Sequence, residues 1–276
     1  MLLVIDIGNT NIVLGLFAEK AIGQQGKNKP HPVNTPGERL ITHWRISTDK
    51  FKTADEYGPQ ILELFHYAGL NPTEVREMVI SSVVPSLVGT FEQLSKAYFK
   101  REPFVFRIAT DSGMPVRYDN PKEVGTDRVA NAFAAFHLYK KAAIIVDFGT
   151  ATTFDVVTAK GEYAGGVIVP GMGISAEALS RAASKLPYVE LVKPKKTLGK
   201  NTIESMQSGL IYGTVGQVNQ IIKQLKKEIG GQPLIIATGG YAKLIGPEIK
   251  SIKIINPTLT LEGLALIYER NRKKRR

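Results

Sequence analysis

The stretch MLLVIDIGNTNIVLGLF, residues 1–17, decides the fold of this chain. Residues 2–5 form a short apolar run that predicts a buried β-strand. Asp6 ends this run, and Gly-Asn-Thr-Asn at 8–11 predicts a tight turn, because these residue types tolerate unusual backbone angles and expose amide donors. The apolar run at 12–17 predicts the return strand. Such a hairpin is either an ordinary turn or one whose tip holds a phosphate and its metal ion.

The same pattern recurs at residues 144–157, IIVDFGTATTFDVV. Asp147, Gly149 and Thr150 repeat the spacing of the aspartate, glycine and asparagine of the first hairpin, and a second β-rich run follows them. One such hairpin carries little information by itself. Two of them, each opening a half of the chain, predict an internal duplication with two facing phosphate loops.

Length and composition set the limits of the interpretation. With 276 residues, the chain can bury a large core and form two domains of ordinary size. It contains no cysteine, which excludes disulfides, thiolate metal sites and a cysteine nucleophile. The first residues lack a basic region, and Asp6 interrupts their apolar run too early for a signal peptide or a membrane span. The sequence therefore predicts a cytoplasmic protein with no membrane contact.

The formal net charge of +11 favours anionic ligands. Six of the positive charges lie between Arg270 and Arg276, however, and the segment has no interleaved aromatic residues. We interpret this segment as a solvated basic tail that follows an apolar helix at 259–268. Nucleic acid is therefore not the predicted partner.

Between and after the two hairpins, strand and helix patterns alternate, as in α/β proteins. Residues 19–38 are rich in Gly, Lys, Asn and Pro and predict a long exposed loop. A turn ending at Pro121 predicts a boundary between an N-terminal subdomain, 1–121, and a C-terminal one, 122–276. The longest helical pattern, 201–228, has an apolar face that predicts either core packing or a dimer contact.

A second candidate site is Gly-Thr-Asp-Arg at 125–128, which opens a predicted helix. The first turn of a helix has free backbone N–H groups that favour phosphates and carboxylates. Asp127 and Arg128 have two interpretations: they stabilise the helix start, or they bind a substrate.

A glycine pattern at 171–176 supports a different function. Gly171, Gly173 and Ala176 match the dinucleotide-binding fingerprint, and Glu190 follows about twenty residues later. A dehydrogenase is therefore an alternative. Pro170 at the turn and the hairpin character of the preceding strands weaken it.

The segments DIGNTN, GTDR and VDFGTATT together resemble those of type III pantothenate kinases, which belong to the actin, hexokinase and Hsp70 superfamily of ATP-dependent proteins. The resemblance covers nearly the whole chain. It implies an α/β fold of duplicated ribonuclease H-like domains, with mixed sheets flanked by helices. It also implies ATP-dependent phosphorylation of pantothenate to 4′-phosphopantothenate, the first step of coenzyme A synthesis, by a homodimer.

The resemblance also implies roles for particular residues. Asp127 takes the hydroxyl proton as the catalytic base, Asp6 holds Mg²⁺, and Asp147 holds K⁺ or NH₄⁺. The residues expected to bind ATP are Asp6, Ile7, Gly8, Asn9, Thr10, Asn11, Ile12, Val13 and Thr150. Those expected to bind pantothenate are Tyr118, Gly125, Thr126, Asp127, Arg128 and Thr202.

No GxxxxGK[ST] loop, HExxH motif or spaced set of histidines occurs in the sequence, which favours carboxylate and magnesium chemistry over zinc or histidine catalysis. A non-catalytic regulator remains a second alternative, because the same family was also described as an accessory factor for transcription.

Overall fold

The computed structural model describes residues 1–19 and 39–275. The predicted loop at 19–38 therefore lies, after Glu19, outside the described residues. Among residues 1–19 and 39–275, no helix combines the length and the apolar character that crossing a bilayer requires.

Strands and helices alternate along the chain in two similar series. In chain order they are β1 (Leu2–Ile7), β2 (Asn11–Phe17), β3 (Leu40–Ser47), α1 (Ala54–Tyr67), β4 (Glu77–Ser82), α2 (Pro85–Leu94), β5 (Phe104–Val105), α3 (Ile108–Asp111), α4 (Thr126–Tyr139), β6 (Ala143–Phe148), β7 (Ala151–Val157), β8 (Tyr163–Pro170), α5 (Met172–Ala182), α6 (Thr202–Ile229), β9 (Leu234–Thr238), α7 (Ala242–Ile245), β10 (Ile254–Ile255) and α8 (Leu259–Arg275).

Two five-stranded mixed sheets have the same topology. The first has the order β3-β2-β1-β4-β5, with the β1–β2–β3 meander antiparallel and the β1–β4–β5 pairs parallel. The second has the order β8-β7-β6-β9-β10, with the same pattern of directions. The shared topology confirms the predicted duplication, and it confirms the predicted α/β class with mixed sheets flanked by helices.

The residues divide into two compact units, 1–138 with 259–276, and 139–258. The boundary that the sequence predicted at Pro121 lies upstream of this division. Helix α4 belongs to the first unit, and so does α8, which returns to it from the end of the chain.

Different helices pack on the two faces of the sheet in the first unit. Leu3, Ile5 and Ile7 of β1 alternate onto the face that packs with α1 and α2 in one buried cluster. On the other face, the position of Gly15 on β2 lies against Leu261 of α8. Asp6 shares this second face because it alternates with Ile5 and Ile7.

Several local features follow from the residues at the ends and on the faces of these elements. The capping box at the start of α1 is formed by Thr53 and Glu56. Asn201 caps α6, because its side chain accepts a hydrogen bond of 2.9 Å from the N–H of Glu204. Ile46 of β3 belongs to the core cluster of the first unit, and the partly buried Trp44 packs against that cluster.

The predicted C-terminal tail is wrong. We expected an apolar helix that ends at Tyr268, but α8 continues to Arg275. The side chain of Asn271 is buried and donates to the backbone carbonyls of Asp111 and Ile267, at 2.8 Å each. The first part of the basic segment is therefore folded against its own unit.

Candidate functional site

The first hairpin forms its turn through backbone bonds. Strand pairing ends where Ile7 faces Ile12, and the N–H of Gly8 donates to the carbonyl of Asn11 at 3.0 Å. The tip residues Asn9 and Thr10 are exposed. The residues predicted to bind ATP at 6–13 therefore form one continuous strand, turn and strand.

Asp6 lies near the carboxyl end of β1 and is half-buried. Its neighbour in the parallel strand β4 is Ser81, and paired residues of adjacent strands project to the same face of a sheet. The Ser81 hydroxyl is fully buried and donates to Oγ1 of Thr126, the first residue of α4, at 2.9 Å. The sheet face that carries Asp6 therefore also receives the start of α4.

Asp127 follows Thr126, and its carboxylate folds back onto the helix start. Its Oδ1 accepts a hydrogen bond of 2.8 Å from the backbone N–H of Arg128. A Cβ at Gly125 would collide with the same oxygen, so a side chain there would displace the carboxylate from this position. This close approach is a physical reason for the glycine in GTDR.

Burial raises the pKa of the Asp127 carboxyl above its ordinary value. The hydrogen bond and the charge of Arg128 act in the opposite direction but are the smaller influences. The bond to Arg128 fits the helix-start interpretation, and the raised pKa fits a proton acceptor. The contact at the helix start is observed, and the binding of a substrate by Asp127 stays a prediction. Arg128 is itself buried, and Tyr118 is half-buried in the loop that precedes α4.

In the second unit, Asp147 is half-buried near the carboxyl end of β6 and pairs with Thr238 of the parallel strand β9. Gly239 follows at φ +92°, where side chains are strained. A Cβ at Gly239 would collide with Oδ1 of Asp147 and with the backbone of Phe148. The absence of a side chain at Gly239 lets its backbone lie directly against the Asp147 carboxylate and the backbone of Phe148. Carboxylate and backbone oxygens are the ligands that hard cations prefer.

Thr150 lies in the turn of the second hairpin, where the N–H of Gly149 donates to the carbonyl of Ala151 at 3.1 Å. In the second hairpin, residues 149–151 lie between the last paired residues of the two strands. In the first hairpin, residues 8–11 lie between them. The spacing from aspartate to glycine is thus repeated, but the second turn is one residue shorter.

Thr202 is the first residue of α6 and is exposed. It lines an open cleft of about 670 Å³ within the second unit, together with the apolar Leu179, Leu186 and Met206 and the cationic Lys200. Neither Asp147 nor Thr150 lines this cleft. Apolar walls with one cation fit a small organic acid.

The dinucleotide fingerprint is contradicted by the sheet topology. The strand before Gly171 is β8, which lies at the sheet edge and pairs antiparallel with β7. The fingerprint requires a parallel βαβ unit, so the dehydrogenase alternative is wrong.

The sequence analysis missed two residues that shape the first hairpin and its surroundings. Ser81 of β4 is hydrogen-bonded to the first residue of α4. The only sequence feature that could have indicated this role is the position of a serine within a β-branched run. Thr48 bonds to the turn itself, and a threonine after a strand gave no signal for that role. Both depend on contacts between residues at least forty positions apart.

Among the described residues, no group of three or more Asp, Glu or His side chains could hold a metal ion. A single carboxylate fits Mg²⁺, which keeps several waters and is often held jointly with substrate phosphates.

Comparison with known proteins agrees with these features. The family model described as "Type III pantothenate kinase" matches residues 2–224. The protein of that name from Geobacter sulfurreducens is 52% identical over 272 residues, which cover 99% of this chain and 100% of the relative.

Solved structures resemble the fold at low sequence identity. A candidate Baf family transcriptional activator from Campylobacter jejuni has a TM-score of 0.58 at 16% identity, covering 98% of this chain and 99% of that one. A candidate 2-dehydro-3-deoxygalactonokinase from Sinorhizobium meliloti has a TM-score of 0.51 at 11% identity, covering 98% and 99%. The fold is that of the actin and hexokinase-like ATPases, and the chain belongs to the type III pantothenate kinase family.

Proposed function

We propose that this protein transfers the γ-phosphoryl group of ATP to the primary hydroxyl of pantothenate, the first step toward coenzyme A. Family membership supports the reaction. The observation that carries it is the sheet face of the first unit, where Asp6 at the end of β1 and the start of α4 lie together through Ser81 and Thr126. A phosphate turn and a half-buried carboxylate with a raised pKa suit such a reaction.

Asp127 accepts the proton of the pantothenate hydroxyl in this proposal. The hydroxyl oxygen then bonds to the γ-phosphorus, the bond to the bridging oxygen breaks, and ADP leaves with that oxygen. Phosphoryl transfer demands positioning and charge neutralisation more than covalent catalysis. The backbone amides of 6–13 supply positioning for the phosphates, and Thr150 is a further ATP contact from the second hairpin.

Two cations complete the proposal. Asp6 would hold Mg²⁺, which neutralises charge on the transferring phosphates. Asp147, at the turn where the backbone of Gly239 approaches it, would hold K⁺ or NH₄⁺. Replacing K⁺ by Na⁺ with Mg²⁺ present should then abolish most turnover, and equal rates in both salts would remove the monovalent site.

The residues proposed to contact pantothenate are those that the family resemblance implies. Tyr118 and the GTDR segment, Gly125, Thr126, Asp127 and Arg128, supply the contacts of the first unit. Thr202 supplies one in the second unit, at the cleft with apolar walls and Lys200. Pantothenate is a carboxylate with an apolar dimethyl group, which matches that lining.

We also propose a homodimer, but for a different reason than the sequence suggested. The apolar face of α6 is not available, because Ile211, Val218 and Ile222 are buried in the core of their own unit. Gly209 and Gly213, in contrast, have open space where a side chain would be. A glycine inside a helix costs about 1 kcal/mol relative to alanine, so such positions favour close approach by another surface.

Exposed apolar side chains surround the start of the same helix. Leu198 is 78% exposed, and Ile203 is 50% exposed. A second copy of the chain would cover them, since small helix residues and nearby apolar side chains suit a symmetric contact.

A coupled assay of ADP release tests the proposed function. Pantothenate should support ADP release, whereas sugars and glycerol at the same concentration should not. Release with a sugar but not with pantothenate would assign the chain to another kinase activity of this fold.

A further inference from the structure

In the first turn, the backbone carbonyls of Ile7, Gly8, Thr10 and Asn11 each accept a hydrogen bond from within the first unit. The carbonyl of Ile7 accepts from the N–H of Val83 at 3.0 Å, and that of Asn11 accepts from Gly8 at 3.0 Å. The carbonyls of Gly8 and Thr10 both accept a hydrogen bond from Thr48. Carbonyl lone pairs that point to internal donors do not point to an anion at the tip.

Thr48, directly after β3, is the donor to both of those carbonyls. Its hydroxyl donates to the carbonyl of Gly8 at 2.7 Å, and its backbone N–H donates to that of Thr10 at 3.0 Å. Two bonds from one residue fix the orientation of two peptide units, the one that joins Gly8 to Asn9 and the one that joins Thr10 to Asn11. The amide edge of the turn is thereby left toward the tip, where backbone N–H groups bind phosphate.

Thr48 is in turn anchored to the core. The next residue, Asp49, exchanges two hydrogen bonds with the hydroxyl of Tyr57: its N–H donates at 2.8 Å, and its carbonyl accepts at 2.9 Å. Tyr57 is a fully buried residue of α1. The connection from the core through Asp49 and Thr48 holds the turn in one shape before any ligand binds.

We propose that Thr48 is a positioning residue for nucleotide binding: its paired bonds to Gly8 and Thr10 keep the first turn in the form that accepts the phosphates of ATP. The inference rests on the proposed use of ATP by this turn. Thr48 does not itself touch the reacting atoms. Its effect belongs to the affinity for nucleotide, not to the affinity for the second substrate.

Binding of a non-hydrolysable ATP analogue with Mg²⁺, measured by calorimetry, tests the proposal. Thr48→Val keeps the shape of the side chain and removes the hydroxyl, so the Kd should rise about threefold to tenfold. Thr48→Ser restores the hydroxyl and should recover most of the affinity. Thr42→Val is the matched control, because Thr42 is also half-buried on β3 but pairs with Leu16, far from the turn.

Steady-state kinetics gives a second readout. Thr48→Val should raise the KM for ATP by the same factor and leave the KM for pantothenate unchanged. Equal weakening by Thr48→Val and Thr42→Val, or no recovery with Thr48→Ser, would overturn the proposal. Wild-type protein that binds the analogue but does not phosphorylate pantothenate would contradict the proposed substrate and not the role of Thr48.

Hydrogen exchange tests the same proposal on the wild-type protein, so it does not depend on the folding of a variant. The Thr48 amide should exchange slowly without nucleotide, because its bond to Thr10 is already made. Rapid exchange that becomes slow only with the ATP analogue would show that the turn is not held in advance, and would overturn the proposal.

Discussion

The desolvation of the Asp127 carboxylate disfavours its charge and also suits it to act as a base. Burial disfavours its charged form, and the N–H of Arg128 compensates only in part, so its pKa in the folded protein is raised above that in the unfolded chain. Carboxylates that act as bases near neutral pH are commonly prepared in this way.

We predict opposite effects of pH on activity and on stability. The base must be ionised, so kcat/KM should fall as the pH falls through the raised pKa, at a higher pH than an ordinary carboxylate would give. The free energy of unfolding should instead decrease as the pH rises between the unfolded and the folded pKa, because the native state holds the proton more tightly. The pH–rate profile and melting temperatures over the same pH range test this.

The Asp127→Asn variant is the control for this pair of effects. It should remove the acidic limb of the rate profile and melt no lower than the wild type at neutral pH, since a partly desolvated charge has been removed. A variant that loses both activity and several degrees of stability would indicate that Asp127 is mainly a structural residue of the helix start.

At the scale of elements, α8 differs most from the sequence-based prediction. Its last turns are rich in Arg and Lys, a composition that favours a solvated tail. The contacts that keep it folded are distant in sequence, such as Asn271 with the carbonyl of Asp111 and Arg272 near Glu77. No local pattern encodes partners so far apart, whereas the hairpins depend on neighbouring residues and were predicted.

Two truncations should therefore behave differently. Removal of 273–276 should leave the free energy of unfolding nearly unchanged. Removal of 270–276 also deletes Asn271 and leaves the carbonyl of Asp111 without this donor, so it should cost about 1–3 kcal/mol. Urea unfolding of both proteins measures the difference. Equal stability of the two would mean that the end of α8 contributes nothing to the fold.

At the scale of the whole molecule, the duplicated topology was predictable because both turns carry the same short signal, Asp-x-Gly. The division of the chain was not. Helix α8 returns to the first unit through contacts such as Thr260 with Asn131, at 2.8 Å, and Gly263 against the backbone of Ala130. A boundary chosen from one proline turn cannot account for a segment that rejoins an earlier unit.

Assembly is the prediction that belongs to this scale. Light scattering at micromolar concentration should give the mass of a dimer, and Gly213→Glu should yield a monomer, because it places a charge on the open face of α6. Asn219→Glu, at another exposed position of the same helix, is the control. A fully active wild-type monomer would refute the proposed homodimer.

The most direct test of the central claim is the kcat for phosphopantothenate formation by the wild type, Asp127→Asn and Asp119→Asn, with ATP and pantothenate varied independently. Asp119 is an exposed aspartate of the same unit and serves as the control. We predict that Asp127→Asn lowers kcat by roughly 10² to 10⁴ with little change in the KM for ATP, and that Asp119→Asn resembles the wild type. A near-normal kcat for Asp127→Asn, or ADP release without a phosphorylated product in the wild type, would contradict the account.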